Sequence, residues 1–191
     1  MPLLPGLRVT HSRIHGYGLV ATRAFGKGEV LVQGDGVLYR DHEEFDDTYA
    51  LVMPGIDADA DGKEAPPLFW DLADQTRWIN HSCDPNSEVE TEWDFASEII
   101  RATWYALRDI QPGEELSYDY AFSAAVAERC FCGVASCRGL IVDPDEVDQV
   151  TESLRPYLRV SRPAFATALH APPPPPRTEY DGHRDQSAAG R

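Results

Sequence analysis

Three of the four cysteines fall in one short cluster, Cys130-x-Cys132-x4-Cys137, and the fourth, Cys83, lies far upstream. Cys130 and Cys132 are too close to pair readily with each other, so the count is awkward for disulfides. It is natural for tetrahedral zinc, which closed structural sites hold with four Cys or His ligands. Thiolates of this kind also suit a reducing compartment.

A second dense stretch is Arg77-Trp78-Ile79-Asn80-His81-Ser82-Cys83, running on through Asp84-Pro85-Asn86. It puts an amide, an imidazole, a hydroxyl and a thiol on consecutive residues, more ligand capacity than a connecting loop needs for its own backbone. Asn, Ser and Asp-Pro-Asn are also ordinary turn formers, so the run alone fits either a turn or a site.

Charge narrows the partners. The 191 residues carry 32 acidic and 17 basic side chains, a formal net charge of -15, with no Lys/Arg-rich stretch to meet phosphates. Direct nucleic-acid binding is not expected. An acidic field attracts a basic partner such as a Lys- or Arg-rich peptide, although acidity also serves plain solubility. No apolar run is long enough to span a bilayer, and the first residues lack a cationic leader followed by an apolar segment. A soluble, intracellular protein is expected, nuclear or cytoplasmic, with one domain and a disordered end.

Along the chain, short β-type runs alternate with turns. Gly16 and Gly18 mark a bulge, a tight turn or a place where backbone approaches a ligand; no third glycine makes them a dinucleotide fingerprint. Phe25 to Glu29 reads as a turn before the strand Val30-Leu31-Val32, with further strands over Val37 to Tyr39, Tyr49 to Met53 and Ile99 to Leu107. Asp57, Asp59, Asp61 and Gly62 imitate the opening of a calcium loop, but Leu68 stands where a bidentate Glu is needed, so an exposed acidic loop is expected. Phe69 to Arg77 reads as a short helix or turn. Tyr118 and Tyr120, two apart, would point to one side of an extended segment. Asp143 as N-cap, Pro144 and Glu146 form a capping box, and Val147, Val150 and Leu154 recur at helical spacing, which predicts a packing helix over 143–160. Pro172 to Pro176 and the polar residues beyond read as a solvated linker or a polyproline II ligand.

Four features in this order, Gly16-x-Gly18, Arg77-x-x-Asn80-His81-Ser82-Cys83, Glu115-Leu116-x-x-Asp119-Tyr120 and Cys130-x-Cys132-x4-Cys137, resemble the SET-domain protein lysine methyltransferases with a post-SET zinc segment. The resemblance implies a mainly β fold of small curled sheets in which the tyrosine segment threads beneath the loop carrying Asn80 and His81. It implies a SET domain over 7–122 and a post-SET zinc segment over 123–142, followed by the helix over 143–160 and a Pro-rich tail over 161–191. It also implies one zinc held by Cys83, Cys130, Cys132 and Cys137.

By the same resemblance Gly16, Tyr17 and Gly18 hold S-adenosylmethionine mainly through backbone, Asn80 binds its methionine end, and the His81 backbone lies near its adenine. Phe131 or Leu140 supplies apolar cover for the adenine, and Arg77 is structural. Tyr120 matches the catalytic tyrosine and Tyr118 the phenylalanine/tyrosine switch position, which implies mainly monomethylation of a lysine in a basic, histone-like segment. The rival expectation is a catalytically silent SET-like module that binds a basic peptide.

Overall fold

The computed structural model describes residues 4–53, 66–94 and 99–159. The calcium-loop imitation from Asp57 to Gly62 and the proline run at Pro172 to Pro176 lie outside them. Among the described residues, twelve short strands follow in chain order: β1 Leu7–His11, β2 Tyr17–Ala21, β3 Val30–Gly34, β4 Gly36–Arg40, β5 Ala50–Met53, β6 Leu68–Leu72, β7 Asn80–His81, β8 Ser87–Asp94, β9 Ile99–Ala106, β10 Ser117–Tyr118, β11 Glu128–Arg129 and β12 Leu140–Ile141. They form five small sheets: β1-β2, β4-β6-β5, β3-β9-β8, β11-β12 and the parallel pair β7-β10.

Four of the sheets share one core, to which β11-β12 contributes nothing. Alternation along β6 turns Leu68, Trp70 and Leu72 inward. They join Phe25, Ile79, Trp104, Ile110 and Leu116 in a single apolar cluster, with Tyr118 at its border. This inward alternation explains why 68–72 is a strand and not the short helix or turn its sequence suggested; only Gln75–Trp78 beyond it forms a 3-10 turn. That turn is capped by Asp74, which accepts the backbone N–H of Thr76 at 2.9 Å and the Thr76 hydroxyl. It delivers the chain directly into β7.

A second cluster, Ala124, Leu140, Val142, Val147 and Val150, sits under the segment expected as a helix. Here the expectation is corrected: 143–159 contains two 3-10 helices, Pro144–Gln149 and Arg155–Tyr157, and no regular α-helix. Asp143 does cap, accepting from the Asp145 N–H at 2.8 Å. Glu146 does not reach back to close the box. Its carboxylate takes the Ala124 N–H at 2.7 Å, while the Asp143 N–H donates to the Phe122 carbonyl. The Glu side chain is spent on the segment leading out of the tyrosines, and the helix is not propagated.

Candidate active site and thiol cluster

Loop 80–87 and segment 115–120 are bound together at every level. Asn80 and His81 pair in parallel with Ser117 and Tyr118. The Ser82 N–H donates to the Tyr118 carbonyl at 3.0 Å. The Asn86 side chain donates to the Glu115 carbonyl and accepts from the Ser117 N–H, each at 2.9 Å. Asn86 therefore works as a clip, satisfying with one amide two backbone groups that lie away from water.

Both tyrosines end up on the same side, with ring centroids 4.7 Å apart. Tyr118 lies edge-on to Trp104 at 6.0 Å, and Tyr120 edge-on to His81 at 5.4 Å. The Tyr120 hydroxyl donates to the Ile79 carbonyl at 2.9 Å. Burial pushes the pKa of both phenols up; a neighbouring phenol adds to this, Tyr120 acting on Tyr118 and Tyr49 on Tyr120. Two neutral phenols in a desolvated pocket can orient a ligand but have no charge with which to take a proton.

Around the glycines, Gly16 has φ of +48°, a conformation that favours glycine. Gly18 is needed for space: a Cβ there would overlap the Glu115 carboxylate. The Asn80 amide nitrogen lies 2.8 Å from both the Tyr17 carbonyl and Glu115 Oε1 and 3.2 Å from the His15 carbonyl. Ser12 donates to the same Oε1 at 2.7 Å. Asn80 thus ties the glycine loop to segment 115–120. Its Oδ1, for which no hydrogen bond occurs among the described residues, is left as an acceptor. Tyr17 is exposed, stacked on His11 at 5.0 Å and tilted against Trp78 at 5.3 Å.

The four cysteines meet, although 47 residues separate Cys83 from Cys130. Their Sγ atoms lie 3.7 Å apart, close to the ~3.8 Å edge of a tetrahedron with zinc–sulfur arms of ~2.3 Å. Backbone N–H groups of Cys132, Arg138 and Gly139 point at Cys130, Cys83 and Cys137 sulfurs over 3.3–3.4 Å. The hydrogen bond from Cys130, with others from His81 and the Arg138 backbone, pulls the Cys83 thiol down to about 3. Its thiolate and burial push Cys130 up. The ligand atoms of His81, Cys83, Cys130 and Cys132 lie within 4.8 Å of one another, so the imidazole competes on distance with Cys137 for a metal. Tyr120 donates its N–H to His81 Nδ1 at 3.2 Å, Asp119 Oδ1 lies 3.4 Å from the same nitrogen, and Nε2 lies 3.4 Å from Cys83 Sγ. Cys137 is buried beside Cys83 and Cys130.

A family model described as the SET domain matches residues 16–121. The chain belongs to the SET-domain family. Among its relatives, the Drosophila melanogaster histone-lysine N-methyltransferase Set2 is 32% identical over 165 residues, 76% of this chain and 6% of that protein. The Arabidopsis thaliana putative histone-lysine N-methyltransferase ASHH4 is 30% identical over 138 residues, covering 64% of this chain and 36% of its own. This SET domain therefore spans only a minor part of the relatives it matches. Two solved structures share the fold. Arabidopsis thaliana SUVH6 in complex with SAM has a TM-score of 0.58 at 24% identity, over 73% of this chain and 33% of that one. KRYPTONITE in complex with mCHG DNA and SAH has 0.56 at 25%, over 71% and 28%.

Of the residues expected at the site, Tyr17, Asn80, His81, Tyr118 and Tyr120 are linked by the contacts above, Gly18 packs on Glu115, and Cys83 joins His81 to the other cysteines. The two candidates for adenine cover part company. Phe131 is 66% exposed beside Arg129, whereas Leu140 is wholly buried against Val142 and Val147, with no surface to offer a ligand. Sequence reasoning missed Tyr49, held under the Arg77 guanidinium at 4.8 Å and edge-on to Trp78 at 5.3 Å. It gave Glu115 no role beyond its place in a motif, and it passed over Arg138 next to the last cysteine. Only Arg138 left a signal, a cation amid thiols in a strongly acidic chain.

Proposed function

We propose that this SET domain is a protein-lysine N-methyltransferase that moves one methyl group from S-adenosylmethionine to the ε-amine of a lysine in a basic, histone-like segment. The observation that carries it is the arrangement of Tyr120: a neutral phenol, its proton given to the Ile79 carbonyl, beside Tyr118 and one hydrogen bond from His81. The cofactor, when bound, supplies a methyl group activated on a sulfonium.

The residues present fit that cofactor. Asn80 Oδ1 and the Glu115 carboxylate offer acceptors for its ammonium, backbone at His15 and Tyr17, on either side of Gly16, is fixed by Asn80, and exposed Tyr17 and Phe131 are aromatic faces for its adenine side. Zinc fits Cys83, Cys130, Cys132 and Cys137 as a closed structural ion that holds 130–140 against the loop carrying His81. An intracellular setting agrees with such thiolates.

This chain's own task is alignment. The Tyr120 oxygen, its proton committed, turns lone pairs toward the amine and the transferring methyl, a fixed dipole that needs no reorganisation. Tyr118 and Tyr49 wall the approach with aromatic surface and exclude water, which favours the neutral lysine. The Tyr118 hydroxyl holds a water where further methyl groups would have to stand, hence monomethylation. The net charge of -15 favours a basic substrate.

The test is mass spectrometry of basic peptides and core histones incubated with the protein and labelled S-adenosylmethionine, alongside Tyr120→Phe. Single methyl groups on lysine, lost in the variant, are expected. Cofactor binding without transfer to any lysine would point to a silent binding module, and no cofactor binding would defeat the proposal.

A further inference from the structure

The residue after the last cysteine enters the site from behind. Arg138 is 1% exposed, yet its side chain is a guanidinium. It makes a two-pronged pair with the carboxylate of Asp119, NH1 to Oδ2 at 2.7 Å and NH2 to Oδ1 at 2.6 Å. Asp119 is the residue between the two tyrosines. Its Oδ1 also takes the N–H of Ala121 at 3.2 Å, and Ala121 is the one non-glycine with positive φ among the described residues. The same carboxylate thus holds the turn by which the chain leaves Tyr120. At its other end Arg138 is anchored by backbone: its N–H donates to Cys83 Sγ at 3.4 Å and its carbonyl accepts from Arg159 at 2.9 Å.

We propose that Arg138 is a positioning residue of the methyl-transfer site, fixing Tyr118-Asp119-Tyr120 to the thiol cluster through Asp119. The inference rests on the methyltransferase reading given above. A buried ion pair is a poor way to add stability, because well-packed apolar groups of similar volume often do as well. What the pair adds is geometry: a planar fork on a carboxylate fixes direction as well as distance. With the His81 bridge from Cys83 to the Tyr120 N–H, it makes two struts from one sulfur to the tyrosine segment. Without the guanidinium, Asp119 would seek solvent, and the segment would move with it.

The experiment compares Arg138→Gln, Arg138→Lys and Tyr120→Phe with the parent protein. It measures zinc content, S-adenosylhomocysteine affinity, kcat and KM for a methylated peptide, and the NMR signals of 13C-labelled tyrosine rings. Arg138→Gln should keep its zinc and bind cofactor within about threefold of the parent, while kcat falls about 30- to 100-fold, as misplacement of reacting groups by about 1 Å does. Arg138→Lys, which keeps the charge and loses the fork, should recover part of that loss and stands in should the Gln variant fail to fold. The Tyr118 and Tyr120 signals should shift in both variants while those of Tyr39 and Tyr105 hold. Unchanged kcat, unmoved tyrosine signals, or a joint fall of zinc, cofactor affinity and kcat would overturn the proposal. Shifted tyrosine signals in a protein whose parent transfers no methyl group would uphold the positioning and defeat the methyltransferase reading.

Discussion

The phenol of Tyr120 gives its proton to the main-chain oxygen of Ile79 across 2.9 Å, and Ile79 is the residue that leads into Asn80. The hydroxyl is therefore oriented by the segment that carries Asn80 and His81. Tyr120→Phe removes one hydrogen bond and one oriented dipole while leaving the ring against His81. Turnover should fall about 100- to 1,000-fold, the scale of losing one preorganised polar group. Cofactor affinity, measured by calorimetry, should change by less than about fivefold, since the loss is confined to the transition state.

Tyr118 is enclosed by Trp104 and Tyr120. Tyr118→Phe keeps that packing and deletes only the hydroxyl that would hold water beside the amine. Intact mass spectrometry of the peptide product should shift from mono- toward di- and trimethyl-lysine. An unaltered product pattern would show that the space is set elsewhere, with Tyr49 the next residue to change.

Because burial raises both phenols above the ordinary tyrosine value, neither loses its proton below about pH 10. An acid whose pKa is raised stays neutral to higher pH. The limiting proton belongs to the substrate lysine, so kcat/KM should climb about tenfold per pH unit from about 7 to 9. A fall between pH 9 and 10 that Tyr118→Phe or Tyr120→Phe abolishes would contradict this assignment.

The two glycines of the loop should fail differently. A methyl group at Gly18 would overlap the Glu115 carboxylate, displacing the oxygen that binds both Ser12 and Asn80, whereas Gly16 has open space and a positive φ. Gly16→Ala should cost stability on the order of 1–2 kcal/mol through backbone strain. Gly18→Ala should instead weaken cofactor binding about tenfold or more, the cost of disturbing two part-buried hydrogen bonds to one carboxylate. Thermal melts with and without S-adenosylhomocysteine separate the two effects.

Much of this site was legible because its parts are consecutive residues. The Asn80-to-Cys83 run, the Tyr118/Tyr120 spacing and the cysteine cluster each declare themselves locally, and the strands over 30–34, 36–40, 50–53 and 99–106 followed from β-rich runs between turns. What escaped depends on contacts between distant residues. β8 was overlooked because its alternation is carried by Glu88, Glu90 and Glu92, whose charge reads as loop until β9 is seen to pair with it. Glu146 looked like a capping residue because nothing nearby shows that Ala124, 22 residues back, would claim its carboxylate. The roles of Glu115 and Arg138 reside in partners 35 and 19 residues away.

The parallel pair β7-β10 is only two residues long, yet it joins 80–81 to 117–118 across the whole β8-β9 hairpin. So short a ladder gains little before the intervening loop has closed. During synthesis, a ribosome that has released Asn80 and His81 must still deliver Glu115, Tyr120 and then Cys130 to Cys137 before either has its partners. Until then the nascent chain carries an unpaired imidazole and a lone thiol. Assembly should accordingly be late and cooperative, with a slow refolding phase that reports Tyr120 docking and is absent from the β1-β2 hairpin.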